Sequence, residues 1–78
     1  MPRDPAADAL LRAFGAKVRE VRLSVGMSQA EVAHAADLHP TYISGIESGR
    51  RNASILSLYA VASALGVAAG DLVPTSTR

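Results

Sequence analysis

Ser28-Gln29-Ala30-Glu31-Val32-Ala33-His34-Ala35-Ala36-Asp37-Leu38-His39-Pro40-Thr41-Tyr42-Ile43-Ser44-Gly45-Ile46-Glu47 is the stretch that decides the fold. It opens on a capping box. The Ser28 hydroxyl can accept from the Glu31 amide while the Glu31 carboxylate reaches back to the Ser28 amide. Met27 and Val32 stand where a hydrophobic staple would join the incoming chain to the first turn. A short helix is therefore predicted from Gln29, through Val32, Ala33 and Ala36, to near Asp37. Pro40 is excluded from a helix interior but suits a first helical position, so a further helix starts there. It covers Thr41 to Glu47 and is ended by Gly49. Ile43 and Ile46 form its inward face, with Leu38 just before it. Thr41, Tyr42, Ser44 and Gly45 point elsewhere.

Working outward, Leu10, Phe14, Val18, Val21 and Val25 recur at spacings of three and four. That lays one apolar stripe on a helix from about Asp8 to Ser24, stopped by Gly26. Downstream, Arg50-Arg51-Asn52-Ala53 is a polar loop and Ser54 caps a fourth helix, Ile55 to Leu65. Its inward stripe is Ile55, Leu58, Val61, Ala62 and Leu65, and Gly66 stops it. Residues 67–73 have room for one more short helix before Pro74. No strand pattern appears. The expected fold class is all-α: a compact bundle of about five short helices. Residues 1–7 form an arm, residues 8–73 the domain and residues 74–78 a tail.

At 78 residues the chain is one domain with a modest core. With three aromatics, Phe14, Tyr42 and Tyr59, that core must be aliphatic. The absence of Cys removes disulfides and thiolate metal sites. His34 and His39 have no acidic partner at ligand spacing, so no metal is expected. No run approaches the roughly 20 apolar residues of a membrane span, and the first residues lack a signal peptide's apolar stretch. A cytoplasmic protein, associated with the nucleoid if it binds DNA, is expected. The net charge of +1 excludes a polycation that coats nucleic acid. Arg12, Lys17, Arg19 and Arg22 nevertheless share one segment, and Arg50 and Arg51 are adjacent in another. No nucleophile–base set or phosphate-binding glycine loop is present, which argues against an enzyme.

Two short helices joined by a tight turn suit a DNA reader whose second helix enters the major groove. The groove admits a helix whose outward side chains are small, or polar enough to bond base edges. Thr41, Ser44 and Gly45 meet that demand. Gly45 in mid-helix costs about 1 kcal/mol against Ala. A close approach to DNA or to a neighbouring helix would justify it; a tolerated surface glycine is the plain alternative. Leu56, Tyr59, Leu72 and Val73 lie off the fourth helix's stripe or near the chain end. They are the candidate dimer contacts, unless Leu72 and Val73 fold back to complete the core.

Ser28-Gln29-Ala30-Glu31-Val32-Ala33, the run Thr41 to Asn52, and Ala62-Ser63-Ala64-Leu65-Gly66-Val67 together resemble the Cro/cI-type (lambda-repressor-like, XRE) helix-turn-helix family. The resemblance covers roughly Phe14 to Val73. Thr41-Tyr42-Ile43-Ser44-Gly45-Ile46-Glu47 is most similar to the controller proteins of restriction–modification systems. The resemblance implies a transcriptional regulator that binds a palindromic double-stranded DNA operator as a homodimer paired through its last helices. It implies that Gln29 meets a phosphate, that Thr41, Tyr42, Ser44 and Gly45 meet bases or the adjacent backbone, and that Arg50, with Arg51 or Asn52, meets phosphate again. His39 and Pro40, at the start of the reading helix, complete the candidate set. It also places Arg22 and Glu47 as a structural ion pair beside the capping residues Ser28 and Glu31.

Two departures stand out. Asp37 occupies a turn position often held by Gly, and Asp tolerates a left-handed backbone better than most residues. Pro40 replaces an Arg of many controller-like relatives, which removes one base contact. Tyr42 could equally pack against the turn. No cofactor, small-molecule ligand or membrane is expected, so protein concentration would regulate occupancy. An antitoxin-type repressor, or an interaction module of the same fold that does not bind DNA, remains an alternative.

Overall fold

The computed structural model describes residues 4–74. It contains α1 (Pro5–Ser24), α2 (Gln29–Ala36), α3 (Pro40–Glu47) and α4 (Ile55–Leu65), followed by a single 3-10 turn at Ala69–Asp71. The expected bundle of about five helices is thus four α-helices and one turn. Gly66 in the left-handed region closes α4, and the chain turns back within a few residues, too few for a fifth α-helix.

α1 begins earlier than the apolar stripe suggests. Asp4 accepts a hydrogen bond from the Ala6 amide at 3.0 Å, and Pro5 takes the first helical position. Residues 5–7, expected in the arm, are therefore helical. Residues 1–3 of the arm and 75–78 of the tail lie outside the described residues. α2 starts as expected, with both halves of the capping box made: Glu31 N to Ser28 Oγ at 3.0 Å and Ser28 N to Glu31 Oε1 at 2.7 Å. His39 also caps α3, which the sequence did not signal. Its Nδ1 accepts from the Thr41 amide at 3.1 Å.

All four helices end in the same paired hydrogen bonds around a left-handed residue. Three of these residues are Gly. The fourth is Asp37, with φ 57° and ψ 46°, in the turn between α2 and α3.

The core joins Phe14 and Val18 of α1, Val32, Ala33 and Ala36 of α2, Ile43 and Ile46 of α3, and Val61, Ala62 and Leu65 of α4. Each fully buried Val or Ile contributes roughly 1.5–3 kcal/mol. α2 lies between α3 and α4, and α1 packs on α3. The crossing of α1 on α3 is close at Gly15, where a Cβ would sit 2.1 Å from the Ile46 carbonyl oxygen and 2.7 Å from that of Glu47. Only a residue without a side chain lets these backbones meet.

Three stripe residues are corrected. Leu10 borders an open apolar pocket with Phe14 and Leu58, Val25 follows the last residue of α1 and Ile55 is the first of α4; all three stand at the edge of the core and are exposed. Leu72 is corrected in the opposite sense. The turn, tied by the Ala68 amide to Asp71 Oδ2 at 3.2 Å, brings Leu72 back among the core residues at 0% exposure. It completes the protomer and is unavailable as a dimer contact.

Candidate nucleic-acid interface

The surface of α3 is set by what its buried residues leave over. Ile43 and Ile46 are buried, so positions 41, 44 and 48 share the opposite side at helical spacing. Thr41 and Ser48 are exposed and Ser44 is half-buried. Ser48 was not singled out from the sequence, although it continues the Thr41–Ser44 row by one turn. His39 and Pro40 are exposed at the start of this face.

Gly45 is not part of that open surface. It is buried, and a Cβ there would lie 2.4 Å from Arg51 Cγ. The close approach that justifies a glycine is made by a side chain of the following loop. The loop returns because the amides of Arg50 and Arg51 both donate to the Gly45 carbonyl, at 2.9 and 3.1 Å. Arg51 then holds its guanidinium 5.5 Å from the centre of the Tyr42 ring, within cation–π range. Tyr42 is half-buried against the core and its hydroxyl donates to the Asn52 carbonyl at 3.4 Å. Tyr42, Gly45, Arg51 and Asn52 therefore form one packed corner beside α3. Arg50, Arg51 and Asn52 stay exposed.

Behind the reading face stands a polar node that joins three helices. Arg22 Nε donates to Glu47 Oε2 at 2.6 Å and its Nη2 to Glu47 Oε1 at 3.0 Å, while Nη1 donates to the Met27 carbonyl at 2.9 Å. The side chains are 9% and 3% exposed, so the pair is desolvated as well as bidentate. The hydrogen bond to Glu47 holds the Arg22 guanidinium above its ordinary pKa; desolvation opposes this and the Glu47 charge reinforces it. Stability from a raised basic group is present below its unfolded pKa and lost as pH rises through the folded one. For Arg22 that window is strongly alkaline, so this group adds no pH dependence near neutrality.

Gln29, the first residue of α2, donates from Nε2 to Glu47 Oε1 at 3.0 Å. Of the basic segment on α1, Arg22 is thus committed to the node. Lys17 faces Glu20 at 3.6 Å, and Arg12 lies against Gly49. Arg19 has no ion-pair partner among the described residues and lines a notch of about 210 Å3 with Gln29, Ser44, Glu47 and Ser48.

A second exposed surface lies on α4. Leu56 and Tyr59 are 80% and 61% exposed, and Ile55 and Val73 are also exposed. Isolated exposed apolar residues are ordinary on a protein surface. Three within five residues of one helix form a patch of the kind that marks interfaces.

A short helix held by a capping box, a tight turn, and a second helix with a small, polar outer face define a helix-turn-helix reader. The helix-turn-helix family profile matches residues 18–72, and the chain belongs to that family. It is a DNA-binding regulator of this class. Control protein C.BamHI of Bacillus amyloliquefaciens is 49% identical over 65 residues, which cover 82% of this chain and 80% of that protein. The restriction–modification controller protein C.AhdI of Aeromonas hydrophila superposes with a TM-score of 0.81 at 36% identity, over 82% of this chain and 97% of that one. The hypothetical transcription factor NHTF from Neisseria gives a TM-score of 0.80 at 33% identity, over 95% of this chain and 86% of that one. No helix among the described residues is long and apolar enough to cross a membrane.

Proposed function

We propose that this chain is a controller-type transcriptional regulator that binds a palindromic operator as a two-fold dimer, on the nucleoid of the cell. α3 enters the major groove. Thr41, Ser44 and Ser48 face base edges, while His39 and Pro40 lie where the helix begins. Gln29 and Arg50 bond the DNA backbone and fix the depth of α3, and the Tyr42–Arg51 corner, with Asn52, flanks it. Phosphate contacts set position and base contacts set sequence preference. The likeness to C.BamHI and C.AhdI supports the controller assignment.

The observation that carries the reading is the outer face of α3. It presents small hydroxyl side chains beside exposed Arg50 and Arg51, on a helix held by the Glu47 node. One such helix contacts few base pairs, so pairing two through the α4 patch supplies specificity directly. An isologous dimer sets its reading helices about one DNA turn apart, roughly 34–36 Å.

Selection of bound duplexes from a random pool tests this. The expected result is a two-fold symmetric consensus whose half-sites are one turn apart. Absence of enrichment would leave an interaction module of the same fold. Thr41→Ala and Ser44→Ala should relax preference at particular base pairs, whereas Arg50→Ala should weaken binding to every duplex.

A further inference from the structure

We propose that the notch between α1, α2 and α3 is a seat for a DNA phosphate, and that Arg19 supplies its charge. The inference rests on the DNA-binding reading and adds to it a contact from α1, outside the helix-turn-helix unit. The notch is lined by Arg19, Gln29, Ser44, Glu47 and Ser48. Ser44 and Ser48 also belong to the outer row of α3, so the notch opens beside the reading face.

A phosphate ester accepts hydrogen bonds and donates none, so the useful inventory is of free donors. Arg19 has no ion-pair or hydrogen-bond partner among the described residues and offers a guanidinium fork. Gln29 uses one N–H of its amide on Glu47 and keeps the second. Ser44 lines the notch, but its one hydroxyl donor is assigned to base edges and is not counted toward the phosphate. Ser48 donates its hydroxyl to the Gly45 carbonyl at 3.0 Å, so it has no donor left for a phosphate.

Glu47 is the feature that would repel an anion here, and the node removes that objection. Both of its oxygens accept from Arg22, and one also accepts from Gln29. Arg22 and Glu47 cancel, and the charge left at the notch is that of Arg19. The arrangement also explains why Gln29 is bonded to a buried carboxylate. That bond holds the amide at the wall of the notch and uses only one of its two N–H groups.

The test is the salt dependence of binding to a mixed-sequence duplex and to the selected operator. A protein that loses one charged phosphate contact loses about 0.9 from the slope of log K against log salt, or about a 3.5-fold smaller fall in affinity over a fourfold rise in salt. Arg19→Ala should show that change on both duplexes with an unaltered melting temperature, and Arg19→Lys should restore the slope. Lys17→Ala removes a charge two residues away on the same helix and should leave the slope at its parent value. An Arg19→Ala slope equal to the parent's would overturn the phosphate seat while leaving DNA binding intact. So would a loss confined to particular operator base pairs. If the parent protein itself bound neither duplex, the DNA-binding reading would fall, and the seat with it.

Discussion

The α1–α2–α3 node and the outer face of α4 are opposites. At the node, Arg22, Gln29 and Glu47 satisfy one another across three helices, and Gly15 lets α1 approach the α3 backbone directly. The buried Arg22–Glu47 pair there is satisfied within the chain. On α4, Ile55, Leu56 and Tyr59 present apolar side chains to water, although the helix has already buried Val61, Ala62 and Leu65 in the protomer's own core. One region buries its polar groups against one another, and the other leaves apolar side chains exposed. The contrast separates what holds the reading helix in place from what would pair two of them. Substitutions should divide the same way, with stability lost at the node and association lost on α4.

The largest effect on stability is expected at Glu47. Glu47→Ala leaves the Arg22 guanidinium buried without its partner, which costs about 3–5 kcal/mol. For a domain this small each kcal/mol shifts Tm by roughly 4–8 °C, so thermal melting should show a fall of well over 10 °C. A Tm within a few degrees of the parent's would make the node ornamental. Gly15→Ala comes next. The added Cβ meets backbone carbonyls, which cannot rotate aside, and overpacking of this kind costs about 1–3 kcal/mol. Urea unfolding measures it, and an unchanged midpoint would mean that α1 shifts on α3 without penalty.

Ser28→Ala removes one half of the capping box and should cost about 1 kcal/mol. Its sequence preference in a duplex selection should match the parent's, since Ser28 holds α2 rather than reading DNA. Leu56→Glu should change the protomer's stability least, within about 0.5 kcal/mol, because the side chain is exposed. Sedimentation should nevertheless show a dimer for the parent and a monomer for the variant. A parent that sediments as a monomer at high micromolar concentration, with full operator affinity, would erase the contrast between the two regions.

What could be read from sequence was local. The Ser28–Glu31 box, Pro40 at the start of α3, and the stops at Gly26, Gly49 and Gly66 each follow from a few neighbouring residues, and all stand in the structure. The Arg22–Glu47 pair came through family resemblance, since charges 25 residues apart give no periodic signal. The errors share a cause, which is contact between distant segments. Periodicity makes Leu10 and Ile55 inward but does not say where the edge of the core falls. The sequence leaves Leu72 between an interface and the core, because the return of the chain after Gly66 is a tertiary event. Gly45 in mid-helix points to a close approach by DNA or a neighbouring helix, whereas the approaching group is the Arg51 side chain of the following loop. Gly15 carries no mark in the sequence reading, and Arg19 stands there only as one of four basic residues in a segment. A glycine inside a helical stripe and a cation within a basic segment are the available signals, and neither says what lies opposite.

Hydroxyl-radical footprinting of the parent protein on its selected operator tests most directly whether two copies of α3 read DNA as a symmetric pair. Two equivalent protected segments are predicted, related by a two-fold axis and centred about one helical turn, 10–10.5 base pairs, apart. At equal protein concentration Leu56→Glu should lose both together. A single unsymmetrical protection, or a full two-fold pattern retained by the Leu56→Glu monomer, would contradict the account.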